Sequence, residues 1–200
     1  MTPKINYQLL GEAVYAYQDL GYTYVETPWV VPEKIIRATL PGEFGYLEQV
    51  MEDRVAAERD CHCAPRRSYT SRGGLVGSAE QGFLALNLPA GKYVGCGPCF
   101  RDEDAHNLLC RPYFMKVELF VTTDSGTVDM VHGDALRVMS SFTSYPLDTV
   151  KTPEGFDIEL SGIEVGSYGE RTVHPHGRWV YGTGLALPRF DVARAIAQVI

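Results

Sequence analysis

The chain has 200 residues, of which 45% are hydrophobic and 22% charged, and its 18 basic and 25 acidic residues give a net charge of −7. This composition excludes disordered, collagen-like and disulfide-stapled chains and leaves a globular protein with an ample core. No apolar run approaches the roughly 18 residues of a membrane span, and no signal-peptide pattern is present. We therefore expect a cytoplasmic protein without a membrane role. The acidic balance argues against a broad nucleic-acid surface.

The N-terminal third begins with apolar residues at helical spacing. This pattern predicts an amphipathic helix over residues 5–20, which ends at Gly21. Residues 22–27 are β-branched and aromatic, so they predict a strand that leaves its sheet at Pro28. Residues 41–74 combine charges with glycine pairs and predict irregular structure with one short helix.

In the remainder of the chain, the hydrophobic pattern alternates between helical and strand periods. It predicts helices at residues 78–88, 129–142 and 188–200, and strands at residues 92–101, 114–122, 156–166 and 179–187. The first two of these strands are joined by a polar loop and predict an antiparallel hairpin. A polar connection fills residues 143–155. We expect one α+β domain over residues 1–200, with an antiparallel sheet flanked by helices.

Three segments combine a strand with residues suited to phosphate chemistry. In the first, Arg101 ends a strand and is followed by acidic residues, and Phe114 returns on the next strand. An arginine there could bind a phosphate and the phenyl ring could face a base. In the second, Asp157, Glu159 and Ser161 alternate along one strand face, which suits Mg²⁺ with substrate phosphates. Taken alone, the first pattern is more often a solvated turn than a site, and the second is usually the solvent-facing side of a strand.

The third segment is a glycine-containing strand, residues 182–188, that leads into a helix carrying Arg189 in its first turn. Together the three segments resemble, in order and spacing, motifs 2 and 3 of the class II aminoacyl-tRNA synthetases. Residues 21–28, with the helix before them, resemble motif 1. The resemblance covers residues 5–195 and implies an antiparallel sheet that binds a bent ATP with Mg²⁺.

The resemblance also implies roles for individual residues. Arg101 would contact the ATP α-phosphate and the activated carboxylate, Glu103 would lie near the adenine amino group, and Phe114 would stack on adenine. Arg189 would hold the γ-phosphate. Arg111, in the motif 2 loop, would either reach the β- or γ-phosphate or face water.

Two subclasses of the family share features with this chain. Residues 155–171 are similar to the aspartyl-type enzymes, which implies acidic ligands for metal and ATP, Asp157 and Glu164 being the candidates, and a role for Arg171 in reading a substrate carboxylate. Residues 130–139 resemble instead the pyrrolysyl and phenylalanyl group, in which Glu159 would bind Mg²⁺. The amino-acid pocket opens beside motif 2, so Glu80 and Glu118 are candidates for the substrate ammonium, although either could be an ordinary exposed carboxylate.

The resemblance predicts an ATP- and Mg²⁺-dependent ligase that activates an amino acid or related carboxylate as an acyl-adenylate. It also implies a homodimer, because motif 1 forms the subunit interface in the family. Motifs 1 and 3 lie close to the two ends of the chain, so we expect no anticodon-binding domain. With the acidic charge, this argues against ordinary charging of tRNA, which remains one possible acceptor. Pro188 stands where motif 3 has an acidic residue, and a non-catalytic paralogue that binds a ligand or regulates is the alternative.

Two further patterns have more than one interpretation. Four cysteines could hold zinc or serve as buried thiols, but a C-x-x-C on a straight strand sends its two side chains to opposite faces; they are Cys61, Cys63, Cys96 and Cys99. The segment from His174 to His176 either lies near a site with Arg171 or forms a turn between strands.

Overall fold

The computed structural model describes residues 4–39, 73–100, 107–109, 111–122 and 125–199. Within these ranges the helices are α1 (Tyr7–Asp19), α2 (Glu33–Thr39), α3 (Ala79–Leu86), α4 (Val128–Ser140) and α5 (Arg189–Ala197). The strands are β1 (Thr23–Tyr24), β2 (Val30–Pro32), β3 (Gly73–Leu75), β4 (Lys92–Phe100), β5 (Tyr113–Thr122), β6 (Leu147–Thr152), β7 (Gly155–Leu160), β8 (Ile163–Val173) and β9 (Gly177–Leu187).

Seven strands form one sheet in the order β1-β4-β5-β9-β8-β7-β6, and β2 pairs with β3 in a small second sheet. Every pair in the large sheet is antiparallel except β1 with β4. The predicted hairpin is confirmed, since β4 and β5 pair from Lys92 with Val121 to Phe100 with Tyr113. The α+β class predicted from the sequence is confirmed as well.

The two faces of the sheet carry separate apolar layers because side chains alternate along each strand. On the first face, Val117, Leu119 and Val121 of β5 pack with residues of α1 and α4. On the second face, Phe120 packs with residues of α2 and α3, Phe83 among them. Lys116 and Glu118 share the parity of Phe120 and therefore face the second layer. This alternation sets the position of the candidate site.

Side-chain caps define where the predicted helices begin. The Asn6 side chain accepts the N–H of Leu9 at the start of α1, at 3.1 Å. The Ser78 hydroxyl accepts the N–H of Glu80 at the start of α3, at 3.2 Å. These oxygens satisfy amide groups that have no partner inside the helix. The helices predicted in these two regions are confirmed.

The prediction of one strand over residues 156–166 is wrong. Two strands, β7 and β8, meet there at a tight turn in which Ser161 and Gly162 have φ of 53° and 73°. Apolar alternation continues on both sides of the turn, so the hydrophobic pattern did not reveal it. Ser161 consequently lies in the turn and not on the strand face that carries Asp157 and Glu159.

Three other elements differ from the prediction. The polar connection contains the edge strand β6. Most of its residues are exposed, so no alternation of buried and exposed positions marked it as a strand. Only Thr23 and Tyr24 of the strand predicted at 22–27 pair with the sheet. The helix α2 was not predicted. Irregular structure was expected over residues 41–74; residues 41–72 of that segment lie outside the described residues, and Gly73 and Gly74 belong to β3. In the described ranges no helix is long and apolar enough to cross a bilayer.

Truncating Ile158 tests the assignment of β7. Ile158 is fully buried in the first layer, so I158A should lower the free energy of unfolding by about 2–5 kcal/mol. Val150 lies on the neighbouring edge strand and is exposed, so V150A should cost less than about 1 kcal/mol. Urea unfolding of both variants measures the difference. Equal losses would contradict the register of β6, β7 and β8.

Candidate functional site

A cleft opens on the second face of the sheet, at the end where β5 begins and β9 passes into α5. Its described lining includes side chains from β5, β8 and α5 and from the segment before β5; the charged and aromatic ones are Arg111, Phe114, Lys116, Glu164 and Arg189. Strand order explains their proximity, because β5, β9 and β8 are neighbours. Three cations and one aromatic ring thus surround one opening.

Arg189 is held in place from two sides of the cleft. Its Nη1 lies 3.5 Å from Glu164 Oε1 on β8, and its Nη2 donates to the carbonyl of Leu109 at 3.5 Å. Arg189 is also the first residue of α5, where the helix N-terminus adds positive partial charge. The guanidinium therefore lines the cleft beside Glu164, at a helix N-terminus whose partial charge favours an anion.

Lys116 lines the same cleft and was missed by the sequence analysis. Its Nζ lies 2.7 Å from Glu118 Oε1, and its side chain is only 14% exposed. The period of two along β5 places Phe114, Lys116 and Glu118 on one face. That alternation was a signal in the sequence that could have identified it.

Glu118 lies beyond Lys116 and is buried, at 5% exposure, so the interpretation as an exposed carboxylate is wrong. It accepts hydrogen bonds from the Ser78 hydroxyl, at 2.7 Å, and from the backbone N–H of Ala79. The thiol of Cys99 lies 3.9 Å from Oε2, the oxygen that also accepts from Ala79. A carboxylate of the sheet thus binds the N-terminus of α3.

Glu80, in the first turn of α3, is also buried at 5% exposure, and an exposed carboxylate is again the wrong interpretation. One oxygen accepts from Trp179 Nε1 and the other from Arg171 Nη1, both at 2.6 Å. Desolvation raises the pKa of Glu80 to about 7, although Arg171 and Trp179 act in the opposite direction. Arg171 in turn lies over the ring of Tyr181, 4.5 Å from its centroid.

The predicted site residues therefore fall into three groups. Arg111, Phe114, Glu164 and Arg189 line the cleft. The candidates for substrate contacts form two ion pairs further along the same face, Glu80 with Arg171 and Glu118 with Lys116. Arg101 and Glu103, expected beside the α-phosphate and adenine, lie outside the described residues.

The candidate metal ligands Asp157 and Glu159 lie on β7, one strand away from the cleft. Their register partners on β8 are Ser167 and Glu164, both of which line the cleft. Among the described residues, no cluster of three or more His, Cys, Asp or Glu side chains has the proximity of a metal site. Glu159 and Glu164, which face each other across the two strands, form the candidate pair of carboxylates.

The described cysteines do not share a site. Cys96 packs with the first layer, whereas Cys99 is buried beside Glu118 on the second face. Opposite faces of β4 separate these two side chains, so they cannot bind one ion together. Cys61 and Cys63 lie outside the described residues. The interpretation of residues 174–176 as a turn between strands is confirmed, since they connect β8 to β9.

No protein-family model matches the chain, and no curated protein sequence shows significant similarity to it. Solved structures do resemble it. The cytoplasmic serine-tRNA ligase of Naegleria fowleri, in complex with AMP, has a TM-score of 0.65 at 16% identity over 96% of this chain. The seryl-tRNA synthetase of Pyrococcus horikoshii, complexed with ATP, has a TM-score of 0.65 at 19% identity over 94% of the chain.

Pyrrolysyl-tRNA synthetase from Desulfitobacterium hafniense has a TM-score of 0.64 at 15% identity, over 96% of this chain and 70% of its own. The chain spans only about half of the two seryl enzymes, 53% and 49% of their lengths. All three are class II enzymes. The chain has the fold of a class II aminoacyl-tRNA synthetase catalytic core, as its motifs predicted.

The raised pKa of Glu80 predicts a pH-dependent stability. The native state keeps the Glu80 proton up to about pH 7, whereas the unfolded chain releases it near 4.5. The unfolded state therefore binds fewer protons in this window, and stability falls as pH rises through it. E80Q has no titrating group at this position and should lack this dependence. The unfolding free energy of E80Q minus that of the wild type should therefore rise by about 3 kcal/mol from pH 4.5 to about pH 7.

Urea unfolding at several pH values measures this slope. E170Q is the matched control, because Arg178 hydrogen-bonds the exposed Glu170 and lowers its pKa, which places its titration below the window. Its curve should run parallel to that of the wild type. If the unfolding free energy of E80Q changed with pH in the same way as that of the wild type, Glu80 would be ionised over the whole pH range and the prediction would be wrong.

Proposed function

We propose that the protein binds ATP and activates an amino acid, or a related small carboxylate, as an acyl-adenylate. The observation that carries this proposal is the convergence of Arg111, Lys116 and Arg189 around one cleft that also contains Phe114. Clustered cations fit a polyphosphate, and an aromatic ring fits a nucleobase. The class II core fold supports the same conclusion.

In this proposal, Phe114 stacks on adenine while Arg111 and Arg189 bind the β- and γ-phosphates. Arg101 contacts the α-phosphate and Glu103 the adenine amino group, as the motif 2 resemblance implies. Mg²⁺, when bound, neutralises phosphate charge. Glu164 and Glu159 would hold it, with Asp157 further along β7, since Mg²⁺ needs one or two carboxylates beside the phosphates.

A carboxylate oxygen of the substrate attacks the α-phosphorus, the bond to the bridging oxygen breaks, and pyrophosphate leaves. No protein nucleophile or proton transfer is needed. Catalysis comes from positioning and from cations placed where negative charge develops. Glu118 and Glu80 border the adjoining part of the face, where the substrate ammonium would bind, and Arg171 would act there through Glu80.

We further propose that the chain is one cytoplasmic catalytic domain that works as a homodimer. Several large apolar side chains are exposed in the helix and segment that resemble motif 1 and directly after them, as expected for a subunit interface; they are Tyr7, Tyr15, Tyr24, Trp29 and Val30. The acyl acceptor is either tRNA or another molecule. A gel shift with tRNA at low salt separates these cases.

The alternative function is a non-catalytic paralogue that binds a ligand or regulates. One observation favours it: both carboxylates expected to receive the substrate ammonium already have cationic partners, Arg171 and Lys116. Pyrophosphate exchange across the twenty amino acids, together with calorimetry of ATP binding, separates the two functions. Exchange with any substrate supports the enzyme, whereas ATP binding without exchange supports the paralogue.

Replacing Arg189 tests the cleft directly. R189A removes one cation from the phosphate-binding position, so kcat/KM for pyrophosphate exchange should fall by about 100-fold or more. Arg178 is the control, since it lies near the start of β9, away from the cleft, and pairs with Glu170. R178A should exchange at the wild-type rate. Full activity in R189A would contradict the assigned role.

Light scattering tests the proposed interface. The wild type should have twice the 22.2 kDa mass of one chain. Tyr15 is 71% exposed on α1, so Y15E should fold normally but place a charge in the interface and give the monomer mass. V150E, on the exposed edge strand β6, is the control and should remain dimeric. A monomeric wild type would reject the homodimer.

A further inference from the structure

The second face of the sheet continues past the cleft. Along β5 the side chains on this face are Phe114, Lys116, Glu118 and Phe120, in that order. On β9, Thr183 stands opposite Glu118 and Tyr181 opposite Phe120. The row thus leads from the nucleotide end, through the ion pair of Lys116 and Glu118, to an aromatic end.

The aromatic end is completely filled. The ring of Phe120 stacks between Phe83 of α3, with centroids 5.2 Å apart, and Trp179 of β9, at 6.3 Å. Their exposed fractions are 1% for Phe83, 4% for Phe120 and 1% for Trp179. On the neighbouring strand, a Cβ built at Gly95 would lie 2.9 Å from Phe83, so the ring is packed against bare backbone.

Hydrogen bonds of two buried carboxylates hold these rings in place. The indole N–H of Trp179 is bound by the buried carboxylate of Glu80, so the ring cannot rotate without leaving that carboxylate with one partner fewer. Glu118 holds the start of α3 through Ser78 and Ala79. The helix that carries Phe83 therefore cannot lift off without exposing two buried carboxylates.

We propose that Phe120, Trp179 and Phe83 restrict the acyl substrate to small side chains, no larger than methyl or hydroxymethyl. This inference rests on the proposed function. With the substrate carboxylate at the cleft and its ammonium taking the place of the Lys116 ammonium at Glu118, the side chain extends along the row toward Phe120. A branched or aromatic side chain would have to displace a buried ring from a close-packed layer.

Calorimetry with non-hydrolysable aminoacyl-sulfamoyl adenosines measures this restriction. The series carries the glycyl, alanyl, seryl, leucyl and phenylalanyl groups on the same nucleotide, so only the side chain differs. The first three should bind to the wild type at least about tenfold more tightly than the last two. Equal binding of the phenylalanyl compound would overturn the restriction and leave the proposed function standing. Binding of none of the five would overturn the proposed function, and the inference with it.

A variant pair locates the restriction. F120A removes the ring at the end of the row and should improve binding of the leucyl and phenylalanyl compounds at least about tenfold. L119A is the matched control, because Leu119 is buried on the opposite face and its truncation costs comparable stability without opening the row. It should keep the wild-type preference. F120V replaces F120A if the latter does not fold, and an unchanged preference in the folded variant would overturn the role of Phe120.

Discussion

The arrangement of the site depends on two carboxylates buried between α3 and the sheet. Burying a carboxyl group is costly unless its oxygens have partners, and here each group has several: Arg171 and Trp179 for Glu80, Lys116 and Ser78 for Glu118. Both groups connect the first turn of α3 to strands of the second face. The same contacts therefore attach the helix, fix the ring of Trp179 and place Lys116 at the cleft.

This arrangement separates the face into a polar half and an apolar half. The cleft half carries cations at its rim, although the chain as a whole has a net charge of −7. The electrostatic field inside a concave site depends more on the nearest charged side chains than on the net charge of the whole protein. A net charge of −7 is therefore compatible with three cationic side chains around one cleft, and net charge alone does not exclude nucleotide binding.

The sequence predicted the sheet class, most helices and, apart from Lys116, the charged and aromatic residues of the cleft, because those depend on local period and on motif spacing. Phe114 and Arg189 are far apart in the chain, yet each was predicted as a site residue because it belongs to a motif that contains a strand. Burial of Glu80 and Glu118 could not be predicted, since it depends on partners from other elements, such as Arg171 and Trp179. The turn at Gly162 was hidden because one glycine was its only local signal.

The missed features have two physical origins. The contacts of Glu80 with Arg171 and Trp179 join three elements, and register between strands is not visible in any single segment. Lys116 and Phe120 needed only the period of two along β5, which places a cation, a carboxylate and a ring in one row. The cleft end of this row, at Phe114, was predicted from a sequence motif. The other end, at Phe120, depends on which aromatic rings from other elements pack against it. In the proposal, substrate preference is therefore a property of packing, because Phe120 is held between two buried rings.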